Sequence, residues 1–251
     1  MASPVCKKKH PMNSLLITDL GMIAYSEASA LQQRIAQARK AGGIEDVLLL
    51  CEHPPVITLG RNGNRENLLA SENVLRQKSV DLYETNRGGD ITFHGPGQIV
   101  GYPILNLDRI RRDVHWYVRT LEEVMIRASA DFAISAFRIE GKTGIWVHTE
   151  KSEEKLAAIG VHISRWVTTH GFAYNVATDL RNFELIVPCG IADRKATSLE
   201  KLLSRGVTIS EVQPHLAKHF CELFTSSPRW IARQELLRLL VQAEASVPIS
   251  S

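Results

Sequence analysis

The stretch Arg87-Gly88-Gly89-Asp90-Ile91-Thr92-Phe93-His94-Gly95-Pro96-Gly97-Gln98 carries four glycines in twelve residues. Glycine lets backbone approach a bound molecule closely and exposes N–H donors to it. No Gly-Lys-Ser or Gly-Lys-Thr follows, so this is not a nucleotide-phosphate loop, and the spacing is not that of a dinucleotide-binding turn. A ligand pocket and a plain glycine-rich connection between strands both remain open. A second constellation runs from Lys155-Leu156-Ala157-Ala158-Ile159-Gly160, through Thr169-His170-Gly171-Phe172-Ala173-Tyr174-Asn175, to Pro188-Cys189-Gly190. The flanking proline and glycine favour a turn that presents the Cys189 thiol. A nucleophilic cysteine needs a nearby base or cation to form thiolate. His94, His162, His170 and Lys155 are the candidates: a histidine is the commoner choice, and a lysine serves where burial lowers its proton affinity, as Leu156 to Ile159 would allow.

Of the other cysteines, Cys51 lies in an apolar run, Cys221 on a predicted helix and Cys6 near the N-terminus. Free cysteine is most often an inert packing residue, and three of the four are read that way. No Cys-x-x-Cys pair occurs, so neither a zinc cluster nor a redox dithiol is signalled and no metal site is expected. A reduced, intracellular protein fits this usage best.

These residues must be held by regular elements. Leu15 to Thr18 has strand length, and Ala24, Ala28, Leu31, Ile35 and Ala38 follow at helical spacing before Gly42 and Gly43 end the run. Val47 to Cys51 and Val56 to Leu59 read as buried strands separated by Pro54 and Pro55. Arg61 to Asn67 reads as a loop, Val80 to Tyr83 and Gln98 to Leu105 as strands, and Val114 to Ala128 as a second amphipathic helix. Short strands and turns are expected from Ile134 to Val187. Ser210 and Gln213 resemble a capping box, with helices to about Gln242 and a start blurred by Pro214. Strands and helices come in mixed order without regular βαβ alternation, so the fold class is α+β, mixed sheets flanked by helices.

The 251 residues are 44% hydrophobic and 23% charged, the make-up of an ordinary folded chain. The longest apolar run, Val47 to Cys51, is far short of the roughly 20 residues that cross a bilayer, and no membrane association is expected. Thirty basic against 27 acidic residues give +3. They are scattered rather than gathered in a stripe, which argues against a nucleic-acid partner. Lys7, Lys8 and Lys9 are followed by no apolar signal segment. Residues 1–13 read as a tail, 14–242 as one catalytic domain and 243–251 as a second tail.

The strings RGGDITFHGPGQ, EKLAAIGVHIS, THGFAYNV and PCGI occur in this order and closely resemble the octanoyltransferases of lipoate synthesis. EHPPVITLGR (Glu52 to Arg61) and TGIWV (Thr143 to Val147) also look like family segments, and together they cover roughly Leu15 to Leu223. The resemblance implies a cytoplasmic enzyme without cofactor. It would move an octanoyl group from octanoyl-acyl carrier protein to a lysine of lipoyl domains, those of 2-oxoacid dehydrogenase complexes and of the glycine-cleavage H protein. It implies Cys189 as acyl-accepting nucleophile and Lys155, 34 residues upstream, as its partner. It assigns Arg87, Gly88, Gly89, Asp90, Ile91, Thr92, Phe93, His94, Ala158, Ile159, Gly160, Gly171, Phe172 and Ala173 to the acyl pocket. The fold it implies is shared with biotin and lipoate protein ligases and resembles the core of class II aminoacyl-tRNA synthetases. Lys195-Ala196 departs from the Gly-Val of many relatives. Backbone N–H groups near Gly88, Gly89 or Gly160 are the candidate oxyanion donors, and Arg61, Arg65, Arg109, Arg111 and Arg112 the candidate carrier contacts. The rivals are an ATP-dependent ligase on the same fold, an amidotransferase between lipoyl-bearing proteins, and an inactive binding module.

Overall fold

The computed structural model describes residues 13–150, 152–187 and 195–246. β1 (Asn13–Met22) and β2 (Asp46–Glu52) pair in parallel, joined by α1 (Tyr25–Lys40). The stripe Ala28, Leu31, Ile35 and Ala38 is buried, and Ala24, expected inside this helix, is its cap residue. The next strand, β3 (Val56–Leu59), leaves this sheet. With β4 (Asp81–Glu84), which follows the short α2 (Glu72–Gln77), and β5 (Ile91–His94) it builds a second sheet of order β4-β3-β5. The glycine-rich stretch is thus partly regular: Arg87 to Asp90 is loop, β5 follows, and a turn at Gly95 to Gly97 leads into β6 (Gln98–Ile104), antiparallel to β2.

The rest of the chain completes the large sheet. α3 (Val114–Ala130) precedes β7 (Ala136–Ile139), β8 (Lys142–His148), β9 (Glu153–Ser164) and β10 (Val167–Asn175), all antiparallel neighbours. After α4 (Leu199–Leu203) and α5 (Ile209–Leu223), β11 (Ser226–Trp230) adds a parallel edge to β1, and α6 (Arg233–Ala245) closes the described chain. The large sheet has the order β11-β1-β2-β6-β10-β9-β8-β7.

Side chains alternate across a strand, so one sheet can serve two cores. Leu15, Ile17, Leu48 and Leu50 face α3 and α5, while Leu16, Val47 and Leu49 face α1 and α6. The small sheet has a core of its own around Ile57, Ile91 and Phe93.

The mixed α+β architecture holds, with local corrections. Thr208 and Glu211 form the capping box of α5, not Ser210 and Gln213, and Pro214 lies inside that helix. Thr208 takes the cap because it is extended and its Oγ1 accepts the Glu211 N–H, while Glu211 Oε2 accepts the Thr208 N–H at 2.6 Å. β11 falls within the stretch where helices were expected. Its sequence SSPRW lacks apolar alternation, and Pro228 is acceptable only because this is an edge strand. α6 runs to Ala245, past the expected domain end at 242. Among the described residues no helix is long and apolar enough to cross a membrane.

Candidate active site

β9 and β10 set Gly160 opposite Gly171 and Ala158 opposite Ala173. Four small residues on adjoining strands leave unfilled space, and a cavity of about 500 Å³ opens against them. Its other walls are the Arg87 to Asp90 loop, the small sheet and the β8 residues Lys142, Thr143 and Trp146. A volume of this size with mainly apolar walls and a few converging polar groups is what a small-molecule site requires. Arg87, Gly88, Gly89, Asp90, Ile91, Thr92, His94, Lys155, Ala158, Ile159, Gly160, Gly171, Phe172 and Ala173 all line it. Phe93 does not, a correction to the expected pocket wall: alternation along β5 turns its ring into the core of the small sheet, edge-on to Phe183 at 5.6 Å. Cys189 lies outside the described residues, as do Cys6 and the N-terminal lysines.

The glycine-rich loop is stapled in place by its own backbone. Gly60 N–H donates to Asp90 O, Arg61 N–H to Arg87 O and Asn62 N–H to Gly89 O, while Gly88 N–H donates to Val161 O at 2.9 Å. That last bond removes Gly88 from the candidate oxyanion donors. Arg87 is 8% exposed and bonds to Thr58 O at 2.6 Å, to Thr58 Oγ1 and to Gly88 O. Its charge therefore sits in the wall, locked to β3, the central strand between the two that the loop joins.

Three of the four base candidates line the cavity. His94 and His170 are both 7% exposed. Burial, then neighbouring His53, holds the His94 imidazole down at about 3. Burial, then Arg87, holds His170 down at about 4. His94 Nδ1–H donates to Gln98 Oε1 at 2.7 Å, and Gln98 Nε2 donates to Phe93 O and to Asn175 Oδ1, whose Nδ2 donates to Thr197 O. Two backbone carbonyls fix the polarity of this chain, so His94 is a neutral tautomer with its proton on Nδ1. His170 Nε2–H donates to Asn86 Oδ1. His162 is not among the cavity residues.

Lys155 is held from several sides. Its Nζ lies 4.9 Å from the centre of the Trp146 ring, its pairing partner across β8 and β9, where the register shifts. Its N–H donates to Lys195 O and its carbonyl accepts the Thr197 N–H, so the chain returning after residue 194 is anchored at this lysine. Lys195 and Ala196, the departure noted in the sequence, are part of that anchor and of the cavity wall. Gly144, at φ +111°, passes so near that a Cβ there would sit 3.1 Å from Lys155 Cε. Glu122, 1% exposed between Arg119 and Arg138, accepts the Gly144 N–H and fixes this bend. Cys51 and Cys221 are buried packing residues whose thiols burial pushes up, away from thiolate.

Sequence reasoning passed over Gln98, Asn175 and Trp146. The first two are amides at the ends of their strands, Gln98 opening β6 and Asn175 closing β10, and the fold buries them to 1% and 4% exposed. Of the candidate carrier contacts, Arg65, Arg111 and Arg112 pair with Glu84, Asp113 and Asp108. Arg109 lines a second cavity beside Arg39 and Asp46.

Residues 24–221 match the family of lipoyl protein ligase A/B catalytic domains. The chain is 49% identical over 217 residues to the octanoyltransferase of Koribacter versatilis, covering 86% of each. It is 50% identical over 213 residues to that of Solibacter usitatus, covering 85% of this chain and 94% of that one. In fold it is similar to the bi-partite lipoate protein ligase of Thermoplasma acidophilum, with a TM-score of 0.72 over 94% of this chain and 93% of that one at 17% identity. The biotin protein ligase of Aquifex aeolicus in complex with biotin and ATP follows at 0.50 over 84% and 70%, at 14% identity.

Proposed function

The chain belongs to the family of lipoyl protein ligase A/B catalytic domains, and from that premise we propose that it is an octanoyltransferase working through a thioester on Cys189. The donor is octanoyl-acyl carrier protein. The acceptor is a lysine of a lipoyl domain, on 2-oxoacid dehydrogenase complexes or the glycine-cleavage H protein. Uncharged Lys155 takes the Cys189 thiol proton, and the thiolate attacks the octanoyl thioester carbonyl. The carrier C–S bond breaks, the carrier thiolate takes the proton from Lys155, and the octanoyl group remains on Cys189. The acceptor amine then attacks this second thioester, gives a proton to Lys155 and forms the amide as the Cys189 C–S bond breaks; that proton restores the thiol.

The observation that carries this reading is the position of Lys155 on the wall of the cavity, beside histidines unsuited to the work. A general base works best with a proton affinity near the operating pH, and imidazoles held at about 3 and 4 are far too weak to retain a thiol proton. The walls suit an alkyl chain: at ~0.8 kcal/mol per CH₂, burying six methylenes supplies about 5 kcal/mol.

The test is intact-protein mass spectrometry after mixing with octanoyl-acyl carrier protein without ATP, followed by addition of a lipoyl domain. An octanoyl adduct on the wild type and none on Cys189→Ala, discharged onto the lipoyl-domain lysine, is the expected result. Modification that appears only with free octanoate and ATP would establish an ATP-dependent ligase instead.

A further inference from the structure

Most exposed arginines of this protein are neutralised by its own acids. Arg34, Arg65, Arg111, Arg112, Arg127 and Arg233 each pair with a carboxylate. Lys40, Arg61 and Arg165 have no carboxylate partner among the described residues; Arg61 and Lys40 lie near enough to act on the charge of His162, and Arg165 near enough to act on that of Lys40.

The fold brings these groups together from four segments. Arg165 stands at the tip of the β9–β10 hairpin, which Ser164 and Val167 close around two left-handed residues, Arg165 at φ +50° and Trp166 at φ +60°. Turns of this shape normally take glycine or asparagine, so two bulky residues here hold a strained presentation of the guanidinium. His162 lies on β9, next to Val161, whose carbonyl accepts the Gly88 N–H; Arg61 is tied to the same loop through its N–H to Arg87 O. Lys40 ends α1, which is fastened to β10 where Gln32 accepts the His170 N–H. The charges feel one another. Burial and then Arg61 and Lys40 hold His162 below its ordinary range, and burial and then Arg165 do the same to Lys40. Uncompensated like charges oppose the folded state, and an anionic partner would relieve them.

We propose that Lys40, Arg61, His162 and Arg165 form the docking surface for an acidic protein, the acyl donor, which presents the acyl group on a long arm. This rests on the octanoyltransferase reading above. Distance selects the donor over the acceptor. His162 lies seven residues along β9 from Lys155, about 23 Å at ~3.3 Å per residue. A reactive lysine held at the contact with this face would fall short of that span, whereas a carrier protein bridges it with its prosthetic arm. Complementary charge on such a surface acts chiefly on the rate of encounter.

The experiment measures the second-order rate constant for Cys189 octanoylation by octanoyl-acyl carrier protein at low and high salt. It compares wild type with Lys40→Glu/Arg165→Glu. The variant is expected to react about tenfold more slowly at low salt and to lose the salt sensitivity of the wild type. Octanoyl-N-acetylcysteamine, a thioester without a carrier, acylates both proteins equally. Should the glutamate pair not fold, Lys40→Gln/Arg165→Gln carries the same comparison with a few-fold effect. Equal rates with the carrier protein overturn the proposal, and so does a defect confined to discharge onto the lipoyl domain. A wild type that the carrier protein never acylates overturns the octanoyltransferase reading itself, and this surface with it.

Discussion

Two pairs of neighbouring strands in one sheet are built on opposite terms. In β1 and β2 the residues from Leu15 to Thr18 and from Val47 to Leu50 are at most 1% exposed, and all but Thr18 are aliphatic. In β9 and β10 the directly opposed positions include Gly160 with Gly171 and Ala158 with Ala173, and a cavity lies over them. The first pair removes large side chains from water on both faces, which is where most folding free energy originates. The second forgoes that gain at four positions and leaves room for something else to be buried. Stability and site are thus segregated across the sheet, with β6 between them.

Damage should therefore read differently in the two regions. Lys155→Ala is expected to lower octanoylation of Cys189 by about 10² to 10⁴-fold, the range for losing a positioned base, with the thermal midpoint unchanged. A variant acylating at the wild-type rate would remove Lys155 from the chemistry. Leu48→Ala in β2 should do the reverse and cost about 2–5 kcal/mol of stability in urea titrations, leaving the acylation rate per folded molecule unaltered. A rate falling in step with stability would end the segregation.

The sequence carried the first region openly and the second only in part. Val47 to Cys51 admits one reading because an unbroken apolar strand must be covered on both faces. The same rule fails for β11, whose SSPRW is a strand by virtue of its partner β1 rather than of its own pattern. At the cavity, the glycine and alanine positions were visible as composition, but their facing pairs depend on the β9–β10 register. Phe93 shows the limit most clearly: it belongs to the same string as His94, yet pleat geometry sends its ring into the core of the small sheet and the His94 ring to the cavity. In the chain from His94 through Gln98 to Asn175, the last link joins residues 77 apart in sequence, which only the packed sheet brings together.

Acid should probe the contrast next. His94 and His170 have folded-state values near 3 and 4, below the ~6.5 of an unfolded histidine. Between those values the unfolded chain binds more protons than the folded one, so stability rises with pH there and is lost as pH falls from about 6.5 toward 4. His170 alone accounts for on the order of 3 kcal/mol at full loss. Asp46, the buried acid of β2, is shifted the opposite way, upward by burial, and adds nothing to this loss. Hydrogen exchange at pH 7 and pH 5 should show β5 and β10 loosening while β1 and β2 keep their protection. Urea midpoints that do not move between these pH values would show that the two imidazoles take up protons without cost.

The smallest expected effect is the most specific to the cavity. Gly160 lies in ordinary extended backbone, so a side chain there is opposed by space and not by conformation. An added Cβ would meet Gly88 O at 2.8 Å and Arg87 Cδ at 3.1 Å, in a loop that Arg87 locks to Thr58. Gly160→Val must either displace that loop or push into the acyl space, at about 1–3 kcal/mol. If the space holds an alkyl chain, the penalty should depend on chain length. Octanoyl transfer is expected to slow roughly tenfold, the equivalent of 1.4 kcal/mol, while transfer of a butyryl group from the same carrier changes little. A variant that slows both chains equally would mean that Gly160 shapes the loop alone and that the alkyl group is buried elsewhere.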